Sequence, residues 1–176
     1  LPSSGGSTGQ VLTCISTSGS TMTLEWRTGA ALDSTSVPDA ARVEIDAAVQ
    51  LPVNSTVRIN WTVQTFVTNS SIHSTGTNPS RLIPQSTGIY LFHFQCDVTG
   101  GSTNAFIAIE DSSGARIGYT NWRLPAAAET IKLAAGLKRF DALGGYAVAI
   151  VNAEAASTGS LGGSELTHFE MVRLGR

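Results

Sequence analysis

The most constraining feature of the sequence is a two-residue alternation. In 88–98 the residues Tyr90, Phe92, Phe94, Cys96 and Val98 are apolar, while His93, Gln95 and Asp97 between them are polar. Successive side chains of a β-strand point to opposite faces, so this run describes a strand with one face in a core. Further short β-like runs occupy 41–49, 57–67, 105–110, 115–120, 130–133, 146–152 and 166–174. Turn chemistry separates nearly all of them. Thr99-Gly100-Gly101-Ser102, Asp111-Ser112-Ser113-Gly114 and Leu143-Gly144-Gly145 each supply glycine for a positive φ. The stretch 124–138 is Ala-rich and has helix propensity, but Pro125 and Gly136 bracket it and a lone helix has no obvious place in an all-β series. Strand plus loop is expected there. Strands at this spacing predict an all-β fold, an antiparallel two-sheet jelly-roll sandwich.

Two runs break the clean alternation. Ile89 and Leu91 begin the second face of 88–98 with apolar residues, and 146–151 is apolar on both sides. A two-layer sandwich has no third layer to cover such a face. The cover expected is therefore another copy of the chain.

Residues 1–38 differ in character. They are rich in Gly, Ser and Thr, with two short apolar alternations around Val11, Leu12 and Ile15 and around Met22, Leu24 and Trp26. The turn Thr17-Ser18-Gly19-Ser20 joins them into a predicted hairpin, and 29–39 with Pro38 is the expected linker. A lone hairpin buries too little surface to stand in water, so those six apolar residues are the expected anchor onto a partner. The domains predicted are an arm over 1–38 and a jelly-roll head over 39–176.

Composition removes several functions. At 14% charged residues, a net charge of -2 and no Lys/Arg cluster, the chain is not expected to bind nucleic acid. Its longest apolar stretches, such as 145–151, fall far below the roughly 20 residues of a membrane span, and no basic-then-apolar leader pattern is seen, so no membrane is expected. Cys14 and Cys96 lack C-x-x-C spacing and are read as free thiols. Sequons begin at Asn54, Asn60 and Asn69, as chance readily gives in a Ser/Thr-rich chain.

Catalytic motifs are missing: no Gly-x-Ser-x-Gly elbow, phosphate-cradling loop or His-Glu-x-x-His appears, so no enzyme and no cofactor are expected. His73, His93 and His168 lie on separate runs, and no metal site is assigned, although His93 and His168 would approach if their strands were neighbours. Asp97, Glu110 and Asp111 are oxygen donors without a calcium-loop pattern. Trp26, Trp61 and Trp122, on distant elements, are read as core or interface anchors rather than a sugar-stacking set.

The segment 57–98 carries Phe66, the loop Gly76-Thr77-Asn78-Pro79-Ser80, Pro84 and then Gly88-Ile89-Tyr90-Leu91-Phe92. It resembles the globular heads of the complement q-subcomponent and tumour necrosis factor superfamily, whose signature enters a central strand as Gly-apolar-Tyr-x-Phe. Residues 105–116 resemble that family's strand-turn-strand, and Leu133-Ala134-Ala135-Gly136 its turn before the next strand. The closing run 169–174 is similar too, though Glu170 and Met171 depart from the usual small residues. Over 41–175 the resemblance implies a ten-stranded jelly roll that trimerises through its inner sheet. Ile89, Leu91, His93, Ala147, Ala149 and Phe169 are the interface candidates.

Gly9-Gln10-Val11-Leu12-Thr13 with Trp26 resembles an element of bacteriophage tail fibres and other virion surface proteins. Its presence implies a virion protein assembled in a reducing bacterial cytoplasm. The leading expectation is a trimeric capsid decoration, or cement, protein whose arm grips the major capsid protein or another virion protein. The alternatives are a tail-fibre receptor-binding head and a secreted complement- or cytokine-like recognition head. The absence of coiled-coil or repetitive shaft sequence favours decoration over a fibre.

Overall fold

The computed structural model describes residues 10–18, 21–28, 38–52, 55–99, 104–123, 129–153, 159–161 and 166–175. The chain divides into two compact units, Leu1–Val37 and Pro38–Arg176. In the first, β1 (Gln10–Ser18) and β2 (Thr21–Thr28) pair antiparallel, with Leu12 opposite Trp26, Cys14 opposite Leu24 and a register shift around Ile15. The side chains of this unit, and with them the anchor candidates Val11, Leu12, Ile15, Met22, Leu24 and Trp26 and the thiol of Cys14, lie outside the described residues. So do residues 29–37 of the predicted 29–39 linker, whose last residue, Asp39, is instead buried in the second unit.

The second unit begins with β3 (Ala40–Glu44), β4 (Val49–Leu51), β5 (Ser55–Arg58), β6 (Val63–Val67) and β7 (Arg81–Leu82). It continues through β8 (Gly88–Thr99), β9 (Asn104–Asp111), β10 (Arg116–Arg123), β11 (Glu129–Phe140), β12 (Ala147–Ala153), β13 (Gly159–Leu161) and β14 (His168–Gly175). All pairings are antiparallel, and they form two sheets. The smaller has the order β10-β9-β12-β5, with β7 also on β12. In the larger, β11 pairs with β8 along its whole length, and the far edge of β8 takes β14 and, beyond it, β13; β3 and β6 follow β14, and β4 follows β13. This is the jelly-roll sandwich expected from the alternation.

Aromatic residues fill the space between the sheets. Phe169 stacks on Trp61 and Phe92 with ring centroids 5.8 and 6.1 Å apart, and meets Phe94 edge-on. Phe140 closes one end against Tyr90 and Phe92. Trp61 is thus a core residue; the Trp26 and Trp122 side chains lie outside the described residues. Gly88, which opens β8, has φ 147°, and a Cβ there would sit 2.2 Å from the Gly175 carbonyl oxygen. The Gly-x-Tyr-x-Phe pattern therefore has a steric cause at its first residue.

Three expectations need correction. The run 57–67 is two strands, because the chain crosses between sheets at 59–62: Ile59 N–H donates to Ala149 of the small sheet, and Thr62 N–H to Glu44 of the large one. The run 41–49 is broken after Glu44, where the Thr62 hydroxyl accepts from Asp46 N–H and donates to its carboxylate. Residues 129–140, read as part strand and part loop, form one continuous strand, β11. Leu133-Ala134-Ala135-Gly136 lies within it and is no turn. A Cβ on Gly136 would lie 1.9 Å from the Ile117 carbonyl oxygen of β10, so this glycine serves close approach of two backbones.

Candidate functional site

Side chains of the large sheet that point away from the core form the candidate site. Registry aligns them in rows: Leu137, Leu91 and Val172 are successive neighbours across β11, β8 and β14. The next row runs Ala135, His93, Glu170, Arg42 and Phe66, and the next Leu133, Gln95, His168, Glu44 and Val63. The flanks are apolar and open to solvent: Leu137 is 61% exposed, Ile131 54% and Leu133 47%. Phe66, Leu91, Val172 and Leu174 are exposed on the same sheet.

Charge occupies the centre of this face. Arg42 donates from Nε to Glu44 at 2.8 Å and from Nη1 to Glu170 Oε1 at 3.1 Å. His93 Nδ1 lies 3.5 Å from Glu170 Oε2, and His168 Nε2 lies 3.6 Å from Glu170 Oε1. The first of these is too long and poorly placed for a hydrogen bond, leaving His93 Nδ1 buried without one among the described residues. The two imidazole rings are 5.5 Å apart.

Three of the six interface candidates, Ile89, Leu91 and His93, are on this outward face, half-buried or exposed. The other three are not. Phe169 is wholly buried in the aromatic core, because its neighbours in β14, His168 and Glu170, take the outward positions. Ala147 and Ala149 belong to the small sheet and face the core, so with no accessible surface they offer no contact area to a partner. The second apolar face of β12 is covered by the chain itself, not by another copy. Val148 and Ile150 form a small buried cluster with Ala108, packed on by Phe106 and Tyr146. The Arg81 guanidinium lies 4.1 Å over the Tyr146 ring, and Arg116 4.4 Å over Tyr119, which itself packs on Phe106. Arginine stems and aromatic rings form the missing layer.

Elsewhere the candidate chemistry resolves into structure. Asp39 accepts from Tyr90 Oη and from Gln85 N–H, and Tyr90 Oη also lies 2.7 Å from the Ser86 carbonyl; burial, the Asp39 hydrogen bond and the Asp39 charge push the phenol well above its usual range. Asp111 accepts from Ser113 and Ala115 of its own turn and pairs with Lys138 Nζ at 2.8 Å. Lys138 first, then Ser113, hold its carboxyl far below the carboxylate range. Glu110 and Asp111 are consecutive on β9 and Asp97 belongs to the other sheet, so the three do not form one oxygen cluster. His73 is buried between Gln64 and the Pro79 carbonyl, which lowers its pKa through desolvation. Cys96 is free and buried in the core, and burial raises its pKa. Sequence reasoning missed Glu170 and Arg42 as members of the face; the alternation Phe169, Glu170, Met171, Val172 was the available signal.

No family model and no curated protein matches the chain. Solved structures do. Murine APRIL at pH 5.0 superposes with TM-score 0.60 at 14% identity, over 78% of this chain and 99% of that one. The globular domain of zebrafish complement 1qA protein superposes with TM-score 0.58 at 8% identity, over 78% of this chain and 98% of that one. The chain thus carries the jelly-roll fold of the tumour necrosis factor ligands and the complement q-subcomponent globular heads.

Proposed function

We propose that the chain is a non-catalytic recognition head that works as a homotrimer, three copies meeting through the outward face of the large sheet. The observation that carries this reading is the row Leu137, Leu91 and Val172, with Leu133 and Ile131 following along β11 and Leu174 along β14, exposed on a sheet whose other face packs the core. Contiguous exposed apolar surface of this kind marks an interaction site. Its position on the large sheet is where the family resemblance implies subunit contacts. Loops around a trimer remain free to bind a target, as in a complement- or cytokine-like head. Light scattering tests the assembly, with three chain masses of 18.3 kDa expected.

A second reading, a virion protein decorating a phage head or tipping a tail fibre, is favoured by a different observation. Gln10–Thr13 and Trp26 of the Gly-Gln-Val-Leu-Thr … Trp element lie on paired strands in a unit of its own, Leu1–Val37. In that reading the hairpin grips a capsid or fibre protein, and the protein sits on a particle surface after assembly in the bacterial cytoplasm. A chain starting at Pro38, which keeps Asp39 and its bonds to Tyr90 and Gln85, decides between arm and head. It should still trimerise; if it no longer binds phage particles stripped of the native protein, the arm is the attachment, and if neither it nor the full chain binds them, the virion reading fails.

A further inference from the structure

We infer that His93, His168 and Glu170 form a binding site for a divalent transition metal of the zinc type. Each offers one ligand atom, and these atoms lie within 4.8 Å of one another. The strands explain the convergence: His93 on β8 is the direct register partner of Glu170 on β14, and His168 precedes Glu170 by two residues on the same face. Two imidazoles and one carboxylate are a known three-ligand set for zinc, which leaves a fourth position for water. Metal–ligand bonds of about 2.0–2.1 Å in a tetrahedral site place ligand atoms roughly 3.3 Å apart. His93 Nδ1 lies 3.5 Å from Glu170 Oε2 and His168 Nε2 3.6 Å from Oε1, so each imidazole is near this spacing from one of the two carboxylate oxygens. Ligand atoms up to 4.8 Å apart must close on the metal, with one Glu170 oxygen turning to it.

His93 Nδ1 is buried and makes no hydrogen bond among the described residues, so a metal would satisfy an atom that the fold leaves unmatched. The opposing influence is Arg42, whose Nη1 holds Glu170 Oε1 at 3.1 Å and whose Nη2 lies 3.5 Å from His168 Nδ1. Arg42 has a second carboxylate, Glu44 at 2.8 Å, on which to remain when Glu170 turns to the metal. Glu44 and Glu170 together outweigh the single guanidinium, so the local field favours a dication. All three ligands come from one chain, so one copy suffices to hold the metal, on the same face that the proposed trimer buries.

The test is titration of the full chain with Zn2+ by calorimetry and with Co2+ by visible spectroscopy. One Zn2+ per chain is expected, and Co2+ should show the intense bands of a four- or five-coordinate site. Glu170→Gln, which keeps shape and removes charge, should weaken binding about tenfold or more, as should His93→Ala. Arg42→Ala removes the competing cation and should tighten it. A Co2+ spectrum of the unaltered chain that stays that of the hydrated ion would overturn the assignment, as would Zn2+ affinity unchanged by both ligand substitutions.

Discussion

Tyr90 shows how much a single residue of the family-like motif does. Its ring packs against Phe92 and Phe140, while its hydroxyl meets the buried carboxylate of Asp39, just ahead of β3, and the Ser86 carbonyl. Tyr90→Phe keeps the packing and leaves Asp39 with one fewer donor. A loss of about 1–3 kcal/mol is expected, read by urea denaturation. Asp111 carries the acid sensitivity. Its folded pKa lies below the ordinary value of 3.8, so its stabilisation is fully present above that value and is lost as pH falls through the folded one. Below about pH 4 stability should fall, and Asp111→Asn, less stable at neutral pH, should show a shallower acid limb in the same denaturation series. Tyr90 was visible in sequence by its place in the alternation. Asp39 and the Lys138 partner of Asp111 were not, because separations of 51 residues along the chain, or pairing between sheets, leave no local signal.

At the scale of elements, β8 was the easiest to read, since its core face is uninterrupted and Gly88 marks its start. β11 was the hardest. Its Ala and Gly residues look like poor strand formers because their purpose lies in another strand: Gly118 and Gly136 let β10 and β11 come together, and a Cβ on either would collide with backbone. Gly136→Ala should therefore cost about 1–3 kcal/mol by overpacking, measured as a lowered urea midpoint with unchanged slope. A neutral outcome would mean that the two backbones are not in close approach. β12 taught the opposite lesson. Its double-sided apolarity was real, but hydrophobic pattern alone could not distinguish cover by a second copy from cover by arginine stems and aromatic rings of the same sheet, which sequence writes as polar positions. Of the six residues expected at a subunit contact, the three on β8 reached the outward face; the others were assigned without knowing which sheet, or which side of it, each strand would join.

At the scale of the head, the described residues pack a core between the two sheets, and one face of the large sheet carries an exposed apolar row. That face combines apolar flanks with a central group of charges, Arg42, Glu44 and Glu170 beside two imidazoles. In the proposed trimer the flanks are buried between copies, while the central Arg42 is paired with Glu44 and Glu170 of its own chain. Leu91 and Leu137 are neighbours in the row and both exposed in the single chain, so replacing them with Glu leaves the core untouched. The central claim is tested most directly by the solution mass of the full chain and of the Leu91→Glu, Leu137→Glu double variant, measured by light scattering at micromolar concentration. Three chain masses are expected for the first and one, still cooperatively folded, for the second; a full chain that remains a stable folded monomer would contradict the account.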